Sequence, residues 1–170
     1  MRRMRILLVK TSSLGDVVHN LPVASDLRAR FPDARIDWVV EEAFAEIPRL
    51  HPAVSDVVPV TLRLWRGQLL RRDTWQALAA LRVRLRGPAY DYVIDTQGLL
   101  KSALVAWLAS GTRVGLDWVS SREPLRPLYD RTYSVPWGQH AVVRNRQLAA
   151  RALGYAADTP ADYGIVAPAL

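Results

Sequence analysis

The sequence predicts an α/β protein built on a Rossmann-like parallel sheet flanked by helices. Its apolar runs at residues 5–10, 35–41 and 90–95 are short, rich in Ile, Leu and Val, and do not alternate with polar residues. Such runs are typical of strands buried on both faces of a parallel sheet. Segments with helical spacing separate the strands, and this alternation implies right-handed crossovers. The 170 residues, half of them hydrophobic, are enough for one domain with a full core.

The first half of the chain predicts three strands and three helices. Residues 5–10 form the first strand, and a helix with apolar residues from Val17 to Phe31 follows. Pro22 lacks an amide hydrogen, so we expect this helix to kink or restart near Asn20. Pro59 should break the third strand for the same reason. The remaining elements are a strand at 35–41, a short helix at 44–50, the third strand at 54–61, a basic turn at 62–67 and a helix at 74–85, capped by Asp73 or Thr74.

The second half continues the alternation and then becomes irregular. It predicts a strand at 90–95, a helix at 99–109, a strand at 112–116 and a helix at 139–153. Residues 117–138 are rich in Pro, Arg and aromatic residues, so we expect a long functional loop with a short strand at 132–135. The sequence thus predicts one Rossmann-like domain over residues 1–155. Residues 156–170 are interpreted as a linker or the start of a further domain.

A turn between the first strand and the first helix, Lys10-Thr11-Ser12-Ser13-Leu14-Gly15-Asp16, is the strongest candidate site. In open α/β sheets, ligands bind at the carboxyl ends of the strands, where this turn lies. Gly15 would let the backbone approach a ligand. Asp16 has two interpretations: it completes a capping box with Ser13, or it accepts a proton from a substrate hydroxyl as a general base.

Composition and charge indicate an anionic partner. The net charge is +7 and Lys10 and Lys101 are the only lysines, so arginine supplies most of the positive charge. Arginine suits bidentate binding of phosphate and carboxylate, in a nucleic acid, an anionic lipid surface or a phosphorylated sugar. The absence of cysteine excludes disulfides and thiolate metal sites. No run reaches the length of a membrane span and no signal peptide is recognisable, so we expect a cytosolic protein that could dock on a membrane surface.

Other polar groups follow strands at the same sheet edge. Gln97 and Gly98 follow the fourth strand, with Lys101 one turn into the next helix, and Arg63 and Arg66 bracket Trp65 after the third strand. Each group could bind an anion, or could be a plain turn or surface loop. No GxGxxG, P-loop, HExxH or paired-histidine metal motif is present.

Several of these motifs together resemble the lipopolysaccharide heptosyltransferase family, type I. The matching segments occur in family order along nearly the whole chain: residues 9–19 (VKTSSLGDVVH), 37–42 (DWVVEE), 94–102 (IDTQGLLKS), 115–118 (GLDW), 122–125 (REPL) and 140–142 (HAV). The Lys-Thr-Ser-Ser-x-Gly-Asp turn and the Asp-Trp-Val-Val-Glu-Glu strand favour type I over type II.

The resemblance implies the N-terminal half of a GT-B glycosyltransferase. Such an enzyme transfers heptose, with inversion and without an obligatory metal or cofactor, from ADP-L-glycero-D-manno-heptose to Kdo-modified lipid A in lipopolysaccharide inner-core biosynthesis. It implies a cytoplasmic location, peripheral on the inner membrane. By the same resemblance Asp16 is the general base, and acceptor-binding positions are Ser13, Gly15, Arg63, Arg66, Gln97, Lys101, Arg122 and His140. Leu64 and Gly67 interrupt a basic run that is often longer in the family.

The resemblance covers only the acceptor-binding half, so we expect the donor-binding residues to lie in a further domain. Without that domain the chain should not turn over, because transfer requires donor and acceptor to be held together. The alternatives are a type II heptosyltransferase of the lipopolysaccharide core, or a non-catalytic Rossmann-like module that binds anions. Nucleic acid is disfavoured as a partner, since no interleaved basic–aromatic strand pattern of the RRM type is present.

Overall fold

The computed structural model describes residues 2–169, and its centre is a six-stranded, fully parallel sheet in the order β3-β2-β1-β4-β5-β6. Met1 and Leu170, the outer ends of the predicted domain and linker, lie outside the described residues. The strands are β1 (Arg5–Val9), β2 (Arg35–Glu41), β3 (Asp56–Val60), β4 (Tyr92–Asp95), β5 (Thr112–Leu116) and β6 (Arg131–Tyr133). The helices are α1 (Leu14–Arg30), α2 (Glu46–Arg49), α3 (Leu62–Arg66), α4 (Arg72–Arg86), α5 (Leu100–Leu108) and α6 (Ala141–Leu153), with 3₁₀ turns at Glu42–Phe44 and Arg126–Leu128.

Both faces of the sheet are buried, as the non-alternating strands predict. On β1, Ile6 and Leu8 pack in one hydrophobic cluster, whereas Leu7 and Val9 pack in the cluster on the opposite face. Trp38 of β2 is completely buried beside Leu8 and donates its indole N–H to the Lys10 carbonyl at 3.1 Å. Apolar burial on both faces therefore fixes the central strands, and the predicted α/β class is confirmed.

The two prolines expected to interrupt elements do not do so. Pro22 lies inside α1, which is continuous from Leu14 to Arg30. Pro59 lies within β3 and pairs in register with Val40 of β2. Since β3 is an edge strand, the missing amide hydrogen of Pro59 can face away from the sheet. The prediction of a restart and of a broken strand was wrong because tertiary packing outweighs one lost backbone hydrogen bond.

Smaller differences concern element boundaries. Residues 62–66, predicted as a turn, form the short helix α3, because the Glu41 carboxylate accepts from the amides of Leu62 and Arg63 at its first turn. Helix α4 begins at Arg72, with Arg71 as its N-cap, so neither Asp73 nor Thr74 caps it. Strand β6 covers Arg131–Tyr133 instead of residues 132–135, and the strand predicted at 90–95 begins at Tyr92.

The segment predicted as a linker packs against the domain. Residues 156–169 contain no helix or strand, but the amide of Val166 donates to the Leu50 carbonyl at 3.1 Å. Arg146 of α6 donates to the carbonyl of Thr159 at 2.8 Å and forms a buried bidentate ion pair with Asp26 of α1, at 2.7 and 2.9 Å. The pair joins α1 to α6, and the guanidinium of Arg146 also binds residues 156–169, which we call the tail. The linker assignment stays a prediction.

His51 is a buried histidine under this tail, with 3% of its surface exposed. Its Nδ1 accepts from the amide of Ala53 at 3.1 Å, and its Nε2 lies 2.8 Å from the Ser25 hydroxyl. Gly164 lies against the ring. Burial lowers the pKa of His51, the Asp162 carboxylate partly opposes this shift, and Arg28 adds to it.

We expect the free energy of unfolding to fall as the pH drops from about 7 to about 5, in part because of His51. The unfolded chain takes up a proton near the ordinary histidine pKa, whereas the folded state resists it, so protonation favours unfolding. Urea midpoints measured across this range should fall less in His51→Gln than in the parent. An equal fall in both proteins would contradict the assignment.

Candidate functional site

A polar pocket of about 230 Å³ lies at the carboxyl ends of β1 and β4. In the order β3-β2-β1-β4-β5-β6, this is where the connections change direction, the usual ligand position of a doubly wound sheet. The walls come from the turns after β1 and β4, the loops before and after β6, and α6. The lining residues include Lys10, Ser12, Asp16, Thr96, Gln97, Gly98, Ser120, Ser121, Arg122, Trp137, Arg144 and Asn145.

Asp16 lines this pocket from the first turn of α1 and is half-buried. One of its carboxylate oxygens, Oδ2, accepts hydrogen bonds from the amide and hydroxyl of Ser13, at 3.0 and 3.2 Å. These contacts form the carboxylate side of a capping box, so the capping interpretation of Ser13 and Asp16 describes the geometry. The same geometry also fixes the carboxylate inside the pocket, where it is placed to accept a proton.

Gly15 is exposed beside Asp16, and a Cβ at this position would meet no atom within 4 Å. The packing of the domain therefore does not require glycine here. Open space at this point agrees with the expectation that a ligand approaches the backbone.

Lys10 is a buried cation in the pocket; the sequence analysis placed it in the candidate turn but gave it no role of its own. It is 6% exposed, and its Nζ donates to the Thr96 carbonyl at 3.0 Å. Burial lowers the pKa of Lys10, while the negative charges of Asp16 and Asp95 oppose that shift. The sequence signal was present, since a lysine at the end of a buried strand is unusual.

Asp95 organises the turn on the opposite side of the pocket. This fully buried carboxylate accepts from the amides of Gln97 and Gly98, from the Ser102 hydroxyl and from the Tyr129 hydroxyl, at 2.6–3.2 Å. Burial raises the pKa of Asp95, and these four donors oppose the shift. The carboxylate thus ties β4, α5 and the 117–138 loop together, and Gly98 takes the positive φ of 69° that the turn requires.

Gln97 links the two turns of the pocket. Its Oε1 accepts from both the amide and the hydroxyl of Thr11, each at 2.7 Å. The side-chain carbonyl is used by the fold, which leaves the amide group of Gln97 to face a ligand.

The cations predicted near this edge are only partly brought together. Arg122 is exposed and lines the pocket. Lys101 is exposed on α5 and donates to the Ser12 hydroxyl at 2.5 Å, so it reaches the turn after β1. Arg144 of α6, which the sequence analysis missed, stacks over the Trp137 ring at 4.1 Å and donates to the Ser120 carbonyl at 2.7 Å. Burial lowers the pKa of Arg144, and the nearby positive charge of Arg122 lowers it further.

Arg63, Arg66 and His140 lie outside this pocket's lining. Arg63 lines a second, more open pocket of about 480 Å³ beside Glu41, Phe44 and Leu64. His140 is the N-cap of α6; its Nδ1 accepts from the Val142 amide at 3.3 Å, and its ring packs edge-on to His19 at 4.9 Å. His140 is therefore a hydrogen-bonding residue at the start of α6, and its role in acceptor binding stays a prediction.

Residues 2–169 contain neither a cluster of metal-binding side chains nor a helix that could span a membrane. No group of three or more His, Asp or Glu side chains is arranged to hold a metal ion. None of the helices there combines the length and apolar character needed to cross a bilayer.

An open parallel sheet with a polar pocket at the carboxyl ends of its two central strands defines a Rossmann-like ligand-binding domain. Residues 78–169 match the profile of glycosyltransferase family 9 (heptosyltransferase). The chain belongs to this family.

Individual relatives agree with the family match. Lipopolysaccharide heptosyltransferase 1 of Pseudomonas aeruginosa is 52% identical over 168 residues, which cover 95% of this chain and 46% of that protein. Lipopolysaccharide heptosyltransferase 1 of Escherichia coli K12 is 48% identical over 165 residues, covering 95% and 52%. The structure of E. coli heptosyltransferase WaaC with ADP-2-deoxy-2-fluoro heptose is similar with a TM-score of 0.90 and 45% identity, covering 94% of this chain and 52% of that chain. The chain spans about half the length of these relatives.

Proposed function

We propose that this chain is the acceptor-binding half of an inverting heptosyltransferase. The complete enzyme would transfer L-glycero-D-manno-heptose from ADP-heptose to Kdo-modified lipid A, in the assembly of the lipopolysaccharide inner core. The observation that supports this most directly is a carboxylate, Asp16, fixed in a cation-lined pocket at the carboxyl edge of the sheet. The names of the relatives indicate heptose transfer in lipopolysaccharide synthesis, and a similar structure contains an ADP-heptose analogue. The Kdo-modified lipid A acceptor is what the sequence resemblance implies.

In the proposed reaction, Asp16 takes the proton of the acceptor hydroxyl as the oxygen attacks. A bond forms between that oxygen and the anomeric carbon of heptose, and the bond from this carbon to the phosphate oxygen breaks. ADP leaves with the electron pair, and attack from the opposite face inverts the anomeric centre. Because Oδ2 of Asp16 is bound by Ser13, Oδ1 is the oxygen available to the proton.

The cations would then bind the acidic acceptor. Arg122 lines the pocket, Lys101 reaches its rim through Ser12, and Arg63 and Arg66 follow β3 at the same edge of the sheet. Carboxylates and phosphates of the acceptor suit these arginines. We expect the donor-binding residues in the part of the relatives that the match to this chain leaves uncovered, about half of their length. A lipid acceptor also places the enzyme on a membrane surface, at its cytoplasmic face where we expect the nucleotide sugar.

The direct test joins this chain to a donor-binding domain and supplies ADP-heptose and Kdo-lipid A. We expect mass spectrometry to detect an acceptor heavier by one heptose. The relatives named heptosyltransferase 1 favour this acceptor over that of a type II enzyme. Transfer only to an acceptor that already contains heptose would favour the type II alternative, and no transfer with tight acceptor binding would favour the non-catalytic module.

In such a complete enzyme, Arg63→Ala should raise the KM for the lipid acceptor and leave that for ADP-heptose nearly unchanged. A hydrogen bond to a charged group contributes about 1.5–3 kcal/mol, so the rise should be about 10- to 100-fold. Steady-state kinetics with each substrate varied in turn measures both constants. Arg82→Ala, an exposed arginine on α4, is the control. Equal effects on both constants would count against an acceptor role for Arg63.

A further inference from the structure

The connection between α3 and α4 exposes an unusual group of apolar side chains, which we call the α3–α4 tip: Leu64, Leu69, Leu70 and Trp75. Leu70 is fully exposed, and the other three are each more than half exposed, at 54–59%. Four large exposed apolar side chains in one short segment are unusual on a surface that faces water, and such groups often mark an interaction site. Something other than the described part of the domain is therefore expected to cover them.

The tip is ordered, not frayed. The indole N–H of Trp75 donates to the Leu69 carbonyl at 2.7 Å, and the Thr74 hydroxyl donates to the Gln68 carbonyl at 2.8 Å. The amide of Arg71 donates to the same Gln68 carbonyl at 3.0 Å. These bonds fold the loop back onto the start of α4 and fix the Trp75 ring beside the two leucines.

Exposed arginines border the apolar residues of the tip along the chain. Arg63, Arg66, Arg71 and Arg72 are exposed, and Asp73 is the only acidic residue among positions 62–75, which gives the segment a net charge of +3. Asp73 lies 3.8 Å from Arg71, an exposed and weak pairing. Exposed Leu and Trp bordered by arginines is the composition of segments that insert into the interface of an anionic bilayer.

The tip also lies at the sheet edge that faces the proposed acceptor. Helix α3 follows β3 after one residue, and the Glu41 carboxylate at the end of β2 accepts from its first two amides. A bilayer in contact with the tip would therefore border the carboxyl edge where Arg63 lines its pocket.

We propose that the α3–α4 tip is the membrane-docking element of this protein: Leu70 and Trp75 enter the interface of an anionic bilayer, and Arg71 and Arg72 contact its phosphates. The inference rests on the proposed lipid acceptor and adds the surface by which the enzyme reaches it. A second group of exposed apolar residues, Leu100, Leu104 and Trp107, lies on α5, a helix whose only basic residue is Lys101, and it provides the control.

The test is co-sedimentation with vesicles of phosphatidylcholine and phosphatidylglycerol, and of phosphatidylcholine alone, with neither donor nor acceptor present. The joined protein should bind the anionic vesicles much more strongly. Leu70→Ser should lower the partition coefficient for anionic vesicles about tenfold. Arg71→Gln and Arg72→Gln should each lower this coefficient about fivefold. Trp107→Ser, on a ring of similar exposure, should bind like the parent.

Two results would overturn the proposal: unchanged binding in Leu70→Ser and Trp75→Ser, or a loss in Trp107→Ser that exceeds theirs. Because Leu70 is fully exposed, its replacement should not unfold the domain, and unfolding would not explain a loss of vesicle binding in Leu70→Ser. A second measurement, heptose transfer to an acceptor without acyl chains, separates membrane docking from the proposed catalytic function. The tip variants should keep that transfer at the parent rate, whereas absent transfer in the parent would overturn the proposed function and leave the vesicle result standing.

Discussion

Replacing Asp16 by Asn in the complete enzyme should reduce turnover about 10²- to 10⁴-fold, the usual contribution of a general base. An amide cannot accept the acceptor proton, but it has nearly the shape of the carboxylate and can still accept from the Ser13 amide. Thermal stability and acceptor binding should therefore be largely kept. The measurement is kcat at saturating ADP-heptose and acceptor, together with the melting temperature.

Ser13→Ala is the matched control, because it removes one of the two hydrogen bonds to Asp16 and keeps the carboxylate. We expect a small fall in stability and a much smaller loss of turnover than in Asp16→Asn. If Asp16→Asn lowered the melting temperature markedly while the folded fraction kept its turnover, Asp16 would be a helix cap and not the base.

Arg146→Met should destabilise the chain by about 3–5 kcal/mol, the cost of leaving a buried charge without its partner. The guanidinium and the Asp26 carboxylate are about nine-tenths buried and paired in a bidentate geometry at 2.7 and 2.9 Å. The substitution also removes the contacts to Thr159, so residues 156–169 should become more sensitive to proteolysis. Urea unfolding and limited proteolysis measure the two effects.

The double variant Asp26→Leu/Arg146→Met separates charge burial from packing. With both charges gone, no buried ion is left unpaired, and most of the lost stability should return. Proteolysis of the tail should stay fast, because Thr159 still lacks its donor. A double variant as unstable as Arg146→Met would mean that packing, and not charge, controls this contact between α1 and α6.

Local sequence patterns predicted the sheet well because each central strand buries both faces. The strands predicted at 35–41 and 112–116 coincide with β2 and β5. The motif after β1 also pointed to Asp16, since the turn that follows a strand of a parallel sheet lies at the carboxyl edge, where ligands bind. Arg144 was missed, and Lys10 was given no role of its own, because the contacts of both depend on burial and on partners 24 and 86 residues away. The predictions for Pro22 and Pro59 failed for the same reason. Whether a proline interrupts a helix or a strand depends on the surrounding sheet and core, which local sequence does not show.

Both edges of the sheet are poor templates for another strand. On one side, Pro59 of β3 has no amide hydrogen to offer to an incoming chain, and on the other, β6 contains only three residues. Edge-to-edge pairing, the commonest route from a sheet protein to ordered aggregates, is therefore disfavoured at either end. A newly synthesised domain with such edges is protected against backbone pairing with neighbouring copies.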